Sequence, residues 1–137
     1  MYKAIFIDID GTLKDSKGNI NQRTINAIKK VTQKGILVVI CTGRPRGYTQ
    51  DISENCFASK YVISSNGGNI YDYNDITMFK KVGYSVAMGN ASKEVKKHAS
   101  EVTLSNNNDG VAVFLEKLYT FEDEKFSFQN KMDKITI

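Results

Sequence analysis

Ile36-Leu37-Val38-Val39-Ile40-Cys41 is an unbroken apolar run that ends directly in Thr42-Gly43-Arg44. A strand with one wet face alternates apolar and polar side chains, whereas a continuous aliphatic run is the pattern of a parallel strand buried on both faces. Upstream, Gly35 stands where a helix commonly ends, and Ile25, Ile28 and Val31 fall at near-helical spacing in a segment opened by Ile20-Asn21. An earlier apolar run, Ala4-Ile5-Phe6-Ile7, precedes that helix; a short helix after Pro45 and a strand at Tyr61-Val62-Ile63-Ser64 follow the run. The order βαβαβ predicts an α/β fold: a Rossmann-like, doubly wound parallel sheet in a three-layer α/β/α arrangement, with ligands at the carboxyl ends of its strands.

The second half continues the alternation. Residues 74–81 read as a short helix, Tyr84-Ser85-Val86-Ala87-Met88 as a strand, and Ser92 as the cap of a helix running to Ala99. Glu101-Val102-Thr103 is a brief strand, and Asp109 is expected to cap a segment that puts Val111, Phe114, Leu115 and Leu118 on one face. Residues 1–118 thus form one α/β core. Residues 119–137 differ: Tyr119 and Phe121, then Phe126 and Phe128, alternate with polar residues around Glu122-Asp123-Glu124-Lys125, the pattern of a hairpin. Its aromatics would cover the domain itself, a second copy in a homo-oligomer, or the ligand site.

A chain of 137 residues is the size of one domain and buries roughly two thirds of its unfolded surface. Nineteen Lys+Arg against fifteen Asp+Glu leave a net charge of +4, but the basic residues are scattered, which reads as solvated surface and argues against nucleic acid as a partner. The N-terminus runs straight into a strand that carries acids, and no apolar run approaches the roughly 20 residues of a membrane span, so neither a targeting segment nor a membrane partner is expected. Cys41 in a buried run and Cys56 in a loop read as reduced thiols, pointing to a cytoplasmic protein.

Function is written at the end of the first strand, in Asp8-Ile9-Asp10-Gly11-Thr12. Two carboxylates one residue apart on an extended segment point the same way, which is costly unless a cation neutralises them or one holds a proton. Because the ends of adjacent parallel strands lie together, Thr42 and Arg44 are expected beside Asp8 and Asp10. A hydroxyl, a guanidinium and the backbone amides around Gly11 and Gly43 suit the oxygens of a phosphoryl group. Asp8, held by the strand, is the better nucleophile; Asp10, in the turn, can protonate the leaving oxygen and later activate water.

Asp8-Ile9-Asp10-Gly11-Thr12, Thr42-Gly43-Arg44-Pro45 and Ser64-Ser65-Asn66-Gly67-Gly68, in this order, resemble the haloacid dehalogenase superfamily, specifically its Cof-type phosphatase branch. Similarity continues through Asn74-Asp75-Ile76-Thr77-Met78-Phe79, the segment from Gly83 to Ala91, and residues 106–111. The resemblance implies Mg²⁺, an aspartyl-phosphate intermediate on Asp8, Asp10 as general acid/base, Thr42 as phosphate ligand, and Asn66 and Gly67 at the substrate site. It also exposes departures. The branch has a large cap domain, a catalytic-lysine segment and a Gly-Asp-x-x-Asn-Asp motif after its Ser-Asn-Gly. Here Asn66 and Gly67 run almost directly into Asp72-Tyr73-Asn74-Asp75, with cap and lysine absent. Asp72 is the expected metal ligand beside Asp8 and Asp10, with Asp75 behind it or in its place. The expected function is a capless Mg²⁺-dependent phosphatase acting on a phosphorylated small molecule or a bulkier phosphorylated partner. The alternatives are a phosphate- or metal-binding remnant without turnover and a switch phosphorylated on Asp8.

Overall fold

The computed structural model describes residues 4–44, 52, 55, 56, 58, 62–64, 83–120 and 134–136. Among these residues six strands form the sheet: β1 (Ala4–Asp8), β2 (Leu37–Thr42), β3 (Val62–Ser64), β4 (Tyr84–Ala87), β5 (Glu101–Val102) and β6 (Lys134–Thr136). They lie in the order β3-β2-β1-β6-β4-β5, and every pairing is parallel. The fold is therefore the Rossmann-like parallel α/β class that the apolar run at residues 36–41 predicts.

β2 shows why. Val38 and Ile40 are fully buried and Val39 and Cys41 nearly so, leaving only Leu37 at its start exposed. An alternating strand could not sit at this position without burying unpaired polar groups. Its register against β1 runs from Ala4 opposite Leu37 to Asp8 opposite Cys41, which brings the two strand ends level.

Helix α1 (Gln22–Gln33) begins where Asn21 accepts the Arg23 N–H on its side-chain oxygen, 2.9 Å, and ends before Gly35, whose φ of 81° is open to glycine at little cost. Thr24, Ala27, Ile28 and Val31 face inward. Helix α2 (Lys93–His98) starts as expected on Ser92, whose hydroxyl accepts the Val95 N–H. Helix α3 (Gly110–Thr120) packs along α1 and buries Val111, Ala112, Phe114 and Leu115. Asp109 precedes it in the left-handed region, φ 57°; its carbonyl accepts the Val113 N–H and its carboxylate faces Arg23 at 3.7 Å, in place of the expected side-chain cap. The Tyr119 ring, partly buried against the core, lies under the ammonium groups of Lys30 and Lys34.

β6 is the feature that local pattern did not announce. It pairs with β1 through Ala4, Ile5 and Phe6 and with β4 through Tyr84 and Ser85, so the chain's last strand lies inside the sheet. The hairpin expected around Glu122–Lys125, the helix expected at 74–81 and most of the helix expected after residue 45 lie outside the described residues. Cys41 and Cys56 are both free thiols and buried. Among the described residues no helix is long and apolar enough to cross a membrane.

Candidate active site

At the end of β1 the chain turns sharply. Ile9 and Leu13, both buried, pin the two ends of the turn, and the Lys14 N–H closes it on the Ile9 carbonyl at 3.0 Å. Between those anchors Asp10 keeps an extended backbone and Gly11 takes φ 72°, a conformation that a side chain would strain. The turn thus presents Asp10 to solvent, half-exposed, while Asp8 stays on the strand.

β2 ends level with it. Thr42 is nearly buried, and its hydroxyl accepts the Arg44 N–H at 3.1 Å, folding the chain so that Arg44 points back across the gap between strands. The Arg44 guanidinium then grips Asp10 with both forks: Nε donates to Oδ2 and Nη2 to Oδ1, each at 2.6 Å. Two parallel charge-assisted bonds of this kind are among the strongest and most oriented polar contacts available. The charge of Asp10 is met by the Arg44 guanidinium. Asp8 lies opposite Cys41, and that thiol is pushed up to about 12, chiefly by burial and further by the negative charge of Asp8.

A second set of residues holds the turn from the other side. Asn90, after β4, donates its side-chain N–H to the Gly11 carbonyl at 2.8 Å and accepts the Asn106 N–H at 3.0 Å. Asn106 in turn donates to the Lys14 carbonyl at 2.9 Å, and the side-chain oxygen of Asn107 accepts the Ser16 N–H at 2.8 Å. Three asparagines therefore occupy backbone groups from Gly11 to Ser16 that the turn itself leaves unpaired. Sequence reading did not assign them this role. The available signal was the run Asn106-Asn107-Asn108 beside a turn, since asparagine amides commonly serve loop backbones.

The structure thus brings Asp8, Asp10, Thr42, Gly43 and Arg44 to one end of two neighbouring strands. Asn66, Gly67, Asp72 and Asp75 lie outside the described residues. The carboxylates of Asp8 and Asp10 at this end are hard oxygen donors, the kind that Mg²⁺ takes in preference to nitrogen or sulfur ligands. Among the described residues no three acidic, histidine or cysteine groups cluster tightly enough to hold a metal.

Comparison with known proteins identifies the family. A model of the haloacid dehalogenase-like hydrolase family matches residues 5–74 and 72–115. Phosphatase YwpJ of Bacillus subtilis is 37% identical over 89 residues, covering 61% of this chain and 31% of its own length. The 5-amino-6-(5-phospho-D-ribitylamino)uracil phosphatase YcsE of the same organism is 38% identical over 72 residues, covering 53% of this chain and 29% of its own. The chain spans about a third of the length of these curated relatives. In fold it is similar to the 3-deoxy-D-manno-octulosonate 8-phosphate phosphatase of Moraxella catarrhalis, solved with magnesium, phosphate and KDO, at TM-score 0.72 and 15% identity over 87% of this chain and 86% of that one. With the family match covering most of its length and the strand-end acids in place, this chain belongs to the haloacid dehalogenase-like hydrolases.

Proposed function

We propose that the chain is a Mg²⁺-dependent phosphatase that hydrolyses phosphoric monoesters through an aspartyl phosphate on Asp8. The observation that carries the reading is the Arg44 fork on Asp10 at the joined ends of β1 and β2, where an anion, a cation and the Thr42 hydroxyl converge. A phosphoryl group entering there competes with Asp10 for the guanidinium. Arg44 turning to the phosphoryl oxygens leaves Asp10 at liberty for proton transfer and supplies a fixed positive charge in a chain that lacks the branch's lysine.

The Asp8 carboxylate attacks phosphorus, the P–O bond to the substrate breaks, and the leaving oxygen takes a proton from Asp10. Asp10 then accepts a proton from water, the resulting hydroxide attacks phosphorus, and the Asp8–phosphorus bond opens to release inorganic phosphate. Asp8 and Asp10 with Asp72 or Asp75 are the residues that would hold Mg²⁺, which when bound offsets the repulsion between carboxylate and phosphate. Asn66 and Gly67 would line the substrate side. The missing cap segment would leave the site open, which suits a bulky phosphorylated partner as well as a small ester.

The test is hydrolysis of an aryl phosphate with and without Mg²⁺, by the wild type and by Asp8→Asn. Mg²⁺-dependent turnover that falls about a thousandfold or more in the variant is expected. No turnover in either protein, with Mg²⁺ still bound, would replace the enzyme by a binding module. A stable phosphorylated Asp8 would replace it by a switch.

A further inference from the structure

The sheet is made of two parts that do not touch each other as strands. β3, β2 and β1 form one; β4 and β5 form the other; among the described residues β6 alone pairs with both. The two parts also hold different portions of the site. β1 and β2 carry Asp8, Asp10, Thr42 and Arg44, while the asparagines that fasten the Gly11–Ser16 backbone follow β4 and β5. β6 lies outside residues 5–115, the span that the family model matches.

Adjacent strands lie about 4.8 Å apart, so one inserted strand holds β1 and β4 about 9–10 Å from each other. At that separation Asn90 reaches the Gly11 carbonyl at 2.8 Å. With the slot empty, the facing N–H and C=O groups of Ala4–Phe6 and of β4 would be unpaired in mid-sheet, and the parts would either close by one strand width or admit water. Either shift breaks a hydrogen bond that tolerates only a few tenths of an ångström.

We propose that Lys134–Thr136 is a positioning strand: by inserting between β1 and β4 it sets the distance at which Asn90 and Asn106 fasten the turn that carries Asp10. The consequence for turnover rests on the phosphatase reading above; the consequence for the turn does not. Lys134–Thr136 therefore controls the order of the site through the backbone spacing of the sheet.

Amide hydrogen exchange on the full chain tests this. In the wild type the amides of Lys134–Thr136 should be protected together with those of Ala4–Phe6 and of Tyr84 and Ser85, opening as one unit. Exchange at Lys134–Thr136 as fast as in an unstructured chain would overturn the proposal. The full-length variant Ile135→Pro removes an N–H from the ladder and should speed exchange of the β1 and β4 partners about a hundredfold. It should do the same to the Asn106 amide held by Asn90, while α1 and α3 stay protected. An Asn106 amide that remains protected while β1 and β4 open would show that α1 and α3 alone set the spacing, and would sink the idea. Should Ile135→Pro fail to fold, the wild-type pattern decides by itself. Turnover of an aryl phosphate, about tenfold lower in Ile135→Pro and in Asn90→Ala, is the second readout; absence of turnover in the wild type would count against the phosphatase reading and leave the exchange result standing.

Discussion

Gly110 has no room for any side chain: a Cβ placed there would stand 2.0 Å from the Leu104 carbonyl oxygen and 2.7 Å from its carbon. The obstacle is backbone, which cannot rotate aside, so Gly110→Ala should cost about 3 kcal/mol of stability, read as a lower urea midpoint with an unchanged slope. The close approach matters because Gly110 starts α3 directly beyond the asparagine turn, and the Thr103 hydroxyl donates to its carbonyl at 2.8 Å. That Thr42 and Arg44 stand beside Asp8 and Asp10 was legible because the carboxyl ends of adjacent parallel strands lie together. Asn90, Asn106 and Asn107 were not. An asparagine in a loop is equally at home facing water, and only the fold reveals which backbone group it meets.

Between elements, α1 and α3 are joined by Arg23, which donates from Nε to Glu116 Oε1 at 2.9 Å and from Nη2 to Oε2 at 2.6 Å. The hydrogen bonds from Arg23 hold the Glu116 carboxyl below its ordinary 4.5 despite some desolvation, with the positive charges of Arg23 and Lys30 adding to the effect. A depressed carboxylate stabilises the fold at pH above its unfolded value, and the contribution disappears as pH falls through the lower folded value. The stability difference between wild type and Glu116→Gln should therefore shrink on acidification from about pH 6 to about pH 3, and salt should shrink it at neutral pH because Arg23 is half-exposed. Urea titrations at each pH and ionic strength measure both. α1, β2, α2 and β4 were readable from period and capping residues, which act within a few positions. The pairing of helix with helix was not, since an ion pair spanning 93 positions leaves no local trace.

At the scale of the molecule, among the described residues one hydrophobic core serves both parts of the sheet: Ile5, Ile7 and Ile40 from one part share it with Val86 from the other, with Met88 just beyond β4 and with Val111 and Leu115 of α3. Shared packing of this kind predicts one cooperative unfolding transition, with far-ultraviolet circular dichroism and tyrosine fluorescence giving the same midpoint; two separated midpoints would mean that the parts fold independently. The parallel class, the strand-end location of the acids and their pairing with Thr42 and Arg44 follow from residues near one another in the chain, where hydrophobic period and strand direction act. Two outcomes lay beyond that reach. Residue type and strand order place Arg44 near Asp10, but only the packed geometry sets the two-pronged grip, Nε on Oδ2 and Nη2 on Oδ1. The strand beside β1 is Lys134–Thr136, because backbone hydrogen bonding is nearly blind to sequence and is won by whichever segment the completed fold brings alongside.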